Sequence, residues 1–339
     1  MTKKVRWGVL GVAGIAVKKV IPAMQRGEWS EVTAIASRDA SKAERAAREL
    51  GIPKAYGSYE ELLADPEVDA VYNPLPNHLH VEWSVRAAEA GKHVLCEKPL
   101  GRTADEARVL LAARDRAGVK VGEAFMVRTH PQWRGVLDLI ASGRVGAVRT
   151  VAGYFSYNNV DPNNIRNVAE YAGGALMDIG CYLVYFSRLA FGAEPQRAVA
   201  LAEIHPRTKT DVLTSAILDF PTGHTVFTCS TRVTPHQRVQ IVGTRGRIEV
   251  LVPVNSAPDR PSRVLLDDGS DIYGDGVETL EFEPCDQYTI QGDLFSRCVL
   301  EDTEPPVPLE ESVRNMDVID AIFRSAKSGG WESVAGAAA

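Results

Sequence analysis

Three side chains in this sequence have the types and spacing expected of a proton-transfer site. Lys98 follows a short apolar run that predicts a β-strand, and ligands bind at the carboxyl ends of parallel strands. Asp178 and Tyr182 lie four residues apart, so both project from one face if the segment is a helix. A tyrosine can donate a proton to a carbonyl oxygen when a nearby ammonium lowers its pKa. A surface lysine and a core helix capped by Asp178 are the alternatives, and periodicity does not decide between them.

A second group of residues could bind the phosphates of a dinucleotide. Segment 11–16 reads G-V-A-G-I-A, joins the first predicted strand to a helix and is a G-x-A-x-x-A variant of the dinucleotide fingerprint. Gly11 allows a tight turn, Ala13 lets the backbone approach a pyrophosphate, and Ala16 permits close helix–strand packing. Free N–H groups at the helix start would face the phosphates. A glycine-rich turn of an ordinary α/β protein is the alternative.

The residues after the second predicted strand bear on the choice of cofactor. NAD-selective sites place an acidic side chain there, whereas this strand ends in Ser37-Arg38, with Asp39 next and Lys42 in the following turn. A hydroxyl and a guanidinium suit a 2′-phosphate better than a carboxylate does, which favours NADP(H). Asp39 could still bind a 2′-hydroxyl, so NAD(H) remains an alternative. Arg38 and Lys42 could also be solvated charges at a helix start.

The elements that must position these residues change in type along the chain. Up to residue 124, strand-like and helix-like segments alternate, with strands predicted at 5–10, 31–37, 68–73, 93–97 and 119–124. This alternation indicates a doubly wound parallel sheet. Between 148 and 254, apolar residues alternate in strand fashion, which indicates an α+β domain with a large, mostly antiparallel open sheet. An amphipathic helix follows near the end of the chain.

We therefore expect an α/β protein of three parts. A dinucleotide-binding domain is expected over 1–124, a second domain of α+β type over 125–330, and a fraying tail over 331–339.

Composition indicates which binding partners and which cellular compartment to expect. The chain has 339 residues, a formal net charge of −6 and 45% hydrophobic residues, which gives it no electrostatic reason to bind nucleic acid or anionic lipid. No stretch approaches the roughly 20 apolar residues of a membrane span. The five cysteines are scattered without a C-x-x-C pair, which indicates reduced thiols in the cytoplasm and no metal site.

Several motifs together resemble the family of glucose–fructose oxidoreductase and inositol dehydrogenase. They are the Gly11 turn, Leu75-Pro76-Asn77-His78, Glu97-Lys98-Pro99, Arg128-Thr129-His130-Pro131, and segments 174–182 and 243–246. Many inositol-type members carry histidine where this chain has Tyr182. Tyrosine places the chain nearer the branch of xylose dehydrogenase, dihydrodiol dehydrogenase and deoxysugar ketoreductases, and segment 162–166 resembles a substrate-side segment of that branch.

The resemblance implies a Rossmann domain over 1–124 and a substrate-binding and oligomerisation domain over 125–330. It also implies a sugar-like substrate and a homodimer or homotetramer formed through the second sheet. It implies Lys98 and Tyr182 as the catalytic pair, assisted by Asp178. The predicted cofactor-binding residues are Gly11, Ala13, Gly14, Ile15, Ser37, Arg38, Lys42, Pro76, Asn77, His80, Glu97, Lys98 and Arg128. The predicted substrate-binding residues are Asn164, Arg166, Asp178 and Tyr182.

The expected activity is hydride transfer between a nicotinamide and a carbinol carbon of a sugar. Tyr182 would donate a proton to the carbonyl oxygen, and Lys98 would stabilise the tyrosinate and the oxyanion. Two alternatives remain open. One is nicotinamide-assisted glycoside hydrolysis, and the other is a non-catalytic dinucleotide sensor, which could dispense with Lys98 and Tyr182.

Overall fold

The computed structural model describes residues 3–336, which form two compact units. The first unit contains residues 3–129 and 286–313, and the second contains 130–285 and 314–336. The first boundary lies close to the predicted residue 124. Segment 286–313, however, folds with the first unit, whereas the sequence prediction assigned it to the second domain. Phe295 packs against Trp7 with ring centroids 5.5 Å apart, and the Trp7 indole N–H donates to the Ser296 hydroxyl at 3.0 Å.

The first unit alternates strands and helices as predicted. Its elements are β1 (Val5–Leu10), α1 (Ile21–Gln25), β2 (Ser30–Ala36), α2 (Ala40–Leu50), β3 (Lys54–Tyr56), α3 (Tyr59–Ala64), β4 (Ala70–Asn73), α4 (His80–Glu89), β5 (His93–Cys96), α5 (Ala104–Ala117), β6 (Val121–Glu123) and, later in the chain, α8 (Gln287–Glu301). Among the described residues, six strands pair in the order β3-β2-β1-β4-β5-β6, all parallel. The prediction of a doubly wound parallel sheet is confirmed, although β3 and α3 were not predicted.

Helix ends in this unit follow local capping rules. The Thr103 side chain accepts the Glu106 N–H at the start of α5, and Gly118 ends the helix with a left-handed φ of 65°. Such caps satisfy backbone groups that have no partner within a helix. They explain why α5 begins at Ala104 and ends at Ala117.

The second unit contains a larger sheet. Its elements are α6 (Pro131–Ala141), β7 (Val148–Asn158), α7 (Cys181–Phe191), β8 (Arg197–Ile204), β9 (Asp211–Phe220), β10 (Gly223–Ser230), β11 (Arg232–Gly243), β12 (Arg247–Val250), β13 (Ser262–Asp267), β14 (Val277–Phe282) and β15 (Glu332–Ser333), and helix α9 (Leu309–Ser328) runs from residues of the first unit into this one. Within residues 3–336, nine strands pair in the order β14-β13-β12-β11-β7-β10-β9-β8-β15. Only the β7–β10 pair in this order is parallel, so the predicted mostly antiparallel sheet is confirmed.

One face of this sheet is covered and the other is open. On the covered face, Leu183 of α7 packs so closely on Gly153 of β7 that a Cβ there would lie 2.9 Å from Leu183 Cδ2. The open face presents Leu201, Ile217 and Val226. Residues 332–333 of the predicted tail pair with β8, and residues 337–339 lie outside the described part. No helix among residues 3–336 has the length and apolar character required to cross a membrane.

Candidate active site

The predicted nucleotide residues gather at one edge of the six-stranded sheet. Gly11 follows β1, Ser37 follows β2, Pro76 follows β4 and Glu97 follows β5. Because every strand pair is parallel, these positions all lie at the carboxyl edge. The strand order reverses between β1 and β4, and ligands of open α/β sheets bind at such a switch point.

The turn after β1 is tight and leads directly into a helical segment. Gly11 adopts φ +93°, and its N–H donates to Ala36 O at 2.8 Å. A Cβ at Gly11 would lie 3.0 Å from Leu75, whereas one at Gly14 would meet no heavy atom within 4 Å. The helical segment Ala16–Val20 then begins as a π-turn without a side-chain cap. Exposed Gly14 and these helix-start N–H groups fit a pyrophosphate.

The residues after β2 divide into a capping group and an exposed cation. Asp39 is the N-cap of α2, and its Oδ1 accepts the Ser41 hydroxyl at 2.7 Å and the Lys42 N–H at 3.3 Å. The Ser41 hydrogen bond lowers the pKa of Asp39, and Lys42 Nζ lies 3.9 Å from Asp39 Oδ2. Arg38 is exposed and hydrogen-bonds Tyr59. The Asp39 carboxylate therefore has partners within α2, and Arg38 is an exposed cation at the carboxyl edge of the sheet.

Glu97 is held beside Lys98 by a buried tyrosine. The Tyr72 hydroxyl donates to Glu97 Oε1 at 2.6 Å, and the Lys98 N–H donates to Glu97 Oε2 at 3.3 Å. Burial and the Glu97 carboxylate raise the pKa of Tyr72, so its hydroxyl remains a donor. Lys98 is half-buried and precedes a cis-proline, Pro99.

His80 joins two loops of this edge. It is buried, with Nδ1 2.7 Å from Pro99 O and Nε2 2.6 Å from Leu75 O. Burial lowers the pKa of His80 to about 4, although both carbonyls oppose this effect. Pro76 and Asn77 are half-buried at the same edge. The observed contacts of His80 thus tie the loop after β4 to the turn that carries Lys98.

A buried carboxyl lies close to the same turn. Burial raises the pKa of Glu123, at the end of β6, to about 7, while the Ser312 hydroxyl, the Leu100 N–H and the charge of Lys98 act in the opposite direction. Half-buried Arg128 follows in the short helical turn Met126–Thr129.

In the second unit, Asp178 and Tyr182 lie on one continuous helical segment. Leu176–Gly180 is a π-turn that contains Asp178, and α7 begins at Cys181. The segment is helical, which was the condition for Asp178 and Tyr182 to share a face, but its first turn is wider than an α-turn. Such π-turns are frequent at functional sites, and periodicity gives no signal for them. Tyr182 is buried, and its ring centroid lies 6.2 Å from that of Phe155.

The Asp178 carboxylate is engaged by two side chains. Its Oδ2 accepts the Tyr157 hydroxyl at 2.6 Å and lies 2.8 Å from Arg166 Nε. Burial and this carboxylate raise the pKa of Tyr157. Asn164 caps the short helical turn Ile165–Asn167 by accepting the Arg166 N–H at 3.1 Å. The structure therefore gathers the four predicted substrate residues within one unit, together with Tyr157, which was not predicted.

Tyr157 and Tyr72 were not predicted as site residues, and the reason is the same for both. Tyr157 lies in the long strand β7, and Tyr72 lies in β4, whose four residues are all buried, so the sequence identifies both only as strand residues. Their hydrogen bonds to Asp178 and Glu97 span 21 and 25 residues of sequence. The described part of the chain contains no group of three His, Cys, Asp or Glu side chains that could hold a metal ion.

Comparison with known proteins identifies related sequences over both units. Residues 5–125 match the profile of an oxidoreductase family with an NAD-binding Rossmann fold, and residues 133–249 match the GFO/IDH/MocA C-terminal domain. An uncharacterized oxidoreductase of Rhizobium meliloti is 48% identical over 97% of this chain and 99% of its own length. An NADP(+) D-xylose 1-dehydrogenase of Haloferax volcanii is 43% identical over 95% of this chain and 98% of its own.

The fold is also found in a solved enzyme. A 3-ketoreductase of Actinomadura kijaniata, crystallised with NADP and TDP-benzene, is 31% identical, with a TM-score of 0.89. The match covers 95% of this chain and 98% of that one. Structures of the same ketoreductase with one lysine or one tyrosine substituted have also been determined.

Proposed function

The chain belongs to the GFO/IDH/MocA oxidoreductase family, and we propose that it is an NADP(H)-dependent sugar dehydrogenase or ketosugar reductase. The main support is the carboxyl edge of the six-stranded sheet. The Gly11 turn, exposed Arg38 and the Glu97-Lys98 pair all lie along this edge. The substrate class is supported by relatives named as a D-xylose dehydrogenase and a 3-ketoreductase.

The residues around the Gly11 turn would hold the cofactor. Gly11 and Gly14 would face the pyrophosphate, and Ser37 and Arg38 would bind the 2′-phosphate. Pro76, Asn77, Glu97 and Arg128 would border the nicotinamide half. When bound, the nicotinamide supplies or accepts the hydride.

Lys98 and Tyr182 are the proposed catalytic pair. Tyr182 gives a proton to the substrate carbonyl oxygen in reduction and accepts it from the hydroxyl in oxidation. Lys98 supplies the positive charge that stabilises the tyrosinate and the oxyanion. Asp178, held by Tyr157 and Arg166, orients a neighbouring sugar hydroxyl by accepting its hydrogen bond.

The activity is tested with purified protein, NADP or NAD, and a panel of aldoses that includes xylose and glucose. We expect reduction of NADP by at least one aldose, or oxidation of NADPH by a keto-sugar. Tyr182→Phe should lower kcat by about 10²–10⁴ with unchanged NADP affinity. Tyr185→Phe, a buried tyrosine on the same helix, is the matched control.

Other outcomes point to other functions. Release of sugar from a glycoside without net NADP reduction would indicate the hydrolase, and nucleotide binding without turnover of any panel member would indicate a sensor. Normal turnover in Tyr182→Phe would contradict the assigned proton donor.

We also propose that the open face of the nine-stranded sheet pairs with a second copy of this chain. An apolar groove of about 870 Å³ crosses five neighbouring strands there. Leu201 is 79% exposed, and Ile217 and Val226 are 39% and 46% exposed. An apolar face continuous over several strands suits the self-complementary contact of a twofold dimer.

Sedimentation measures this association directly. The wild type should be a dimer or tetramer, and Leu201→Glu with Val226→Lys should dissociate it without changing the circular dichroism spectrum. Exposed Val109 on α5, 54% exposed, provides a control in Val109→Glu. A monomeric wild type at micromolar concentration would contradict the proposal.

A further inference from the structure

A buried carboxylate lies beneath the start of the helix that carries Asp178 and Tyr182. Asp211, at the first position of β9, is 3% exposed. Its Oδ2 accepts the Leu176 N–H at 2.8 Å and the Thr214 hydroxyl at 2.8 Å. Burial raises the pKa of Asp211, and hydrogen bonds from Leu176, Thr214 and Ala175 oppose this effect.

Asp211 supplies a cap that the helix lacks locally. The first N–H groups of a helix have no acceptor within it, and Ala175, at the N-cap position, has no side chain that can accept. A carboxylate is the strongest acceptor for such N–H groups and complements the positive end of the helix. Because the acceptor comes from β9, it also fixes the helix start to the sheet.

The Asp211 carboxylate packs directly against the glycine that precedes the helix. Gly174 adopts φ +119°, and a Cβ there would lie 2.0 Å from Asp211 Oδ1. Gly174 O in turn accepts the Asp178 N–H at 3.1 Å. Residues 174–178 therefore connect Asp211 to Asp178 through a short, closely packed segment of backbone.

The other side of the same turn is also tightly packed. A Cβ at Gly180 would lie 2.9 Å from Cys229 Sγ of β10. The turn therefore packs against two strands, and the hydrogen bond from the Leu176 N–H to Asp211 ties its start to β9.

We infer that Asp211 is a positioning residue for the proposed reaction, which acts by fixing the 174–178 turn and with it the directions of Asp178 and Tyr182. The inference rests on the proposed function for its kinetic consequence. Asp211 acts through the turn, with its carboxylate bound to Leu176 and Thr214.

The test compares two variants of the full chain. Asp211→Asn keeps the shape but replaces one acceptor oxygen with a donor group, so the helix cap is weakened. Thr214→Val removes a different donor to the same oxygen and leaves the Leu176 contact. We expect Asp211→Asn to lower kcat for the sugar about tenfold or more, with NADP affinity unchanged. Thr214→Val should keep kcat close to that of the wild type.

Two further readouts separate positioning from simple loss of stability. Urea unfolding gives the folded fraction of each variant, and rates are compared where both are fully folded. Hydrogen exchange of the peptide covering 174–182 should accelerate in Asp211→Asn and change little in Thr214→Val.

Unchanged exchange in Asp211→Asn, or equal loss of kcat in both folded variants, would overturn the inference. Faster exchange in Asp211→Asn, combined with no sugar turnover in the wild type, would contradict the proposed function and still support the cap.

Discussion

The Nε atom of Arg166 lies 2.8 Å from Oδ2 of Asp178, so a cation from a short helical turn faces the carboxylate of the π-turn. The same oxygen accepts the Tyr157 hydroxyl at 2.6 Å. An ion pair supported by a second hydrogen bond fixes the direction of a partly buried carboxylate. Arg166 was predicted to bind the substrate, and that role stays a prediction; its observed contact is the ion pair with Asp178.

Removing the Tyr157 hydroxyl should impair sugar binding and turnover without affecting the cofactor. In Tyr157→Phe the carboxylate of Asp178 loses the hydrogen bond from the Tyr157 hydroxyl, and a hydrogen bond to a charged group contributes about 1.5–3 kcal/mol. We expect kcat/KM for the sugar to fall about tenfold or more, and NADP affinity to stay unchanged. Steady-state kinetics and fluorescence titration measure the two quantities.

The control for this change comes from the same strand. Tyr154 lies along the groove on the open face of the sheet, so Tyr154→Phe removes a hydroxyl from β7 without touching Asp178. Equal losses in the two variants would show that the effect arises from the strand rather than from the carboxylate.

Replacing Arg38 should change cofactor preference. Arg38→Ala should raise KM for NADP about 10- to 100-fold, because a charge-assisted hydrogen bond to phosphate is lost. KM for NAD should change little. Arg45→Ala, at an exposed position in the middle of α2, serves as the control. A parallel increase for NADP and NAD would contradict the 2′-phosphate assignment.

The two glycines of the first turn should respond differently to alanine. Gly11→Ala places a side chain at φ +93° and 3.0 Å from Leu75, which should cost about 1–3 kcal/mol of unfolding free energy. Gly14→Ala meets open space, so stability should change little while NADP affinity falls, because the added methyl approaches the phosphates. Urea unfolding together with NADP titration distinguishes the two, and unchanged NADP affinity in Gly14→Ala would contradict the pyrophosphate assignment.

Sequence patterns identified the site residues that lie directly next to a predicted strand or helix. Lys98 was found because it follows a strand, and Gly11 because it joins a strand to a helix. Asp211 and Tyr157 were missed because their partners lie 35 and 21 residues away in sequence. A polar residue in a strand gives no local signal for a contact at that separation. The sequence analysis also missed that α8 packs with the first unit. Local patterns identify a helix but do not show which distant part of the chain it packs against.

Glu123 should make stability depend on pH. Its pKa is about 7 in the folded protein against 4.5 as the unperturbed value, so the folded state favours the protonated form. The free energy of unfolding should therefore fall by about 3 kcal/mol as pH rises from about 4.5 to 7. Glu123→Gln cannot ionise and should lose this slope, becoming more stable than the wild type above pH 7. Urea unfolding at pH 5, 6, 7 and 8 measures the effect. Glu44→Gln, an exposed position on α2, should leave the slope intact, and parallel curves for wild type and Glu123→Gln would show that this carboxyl is not the source.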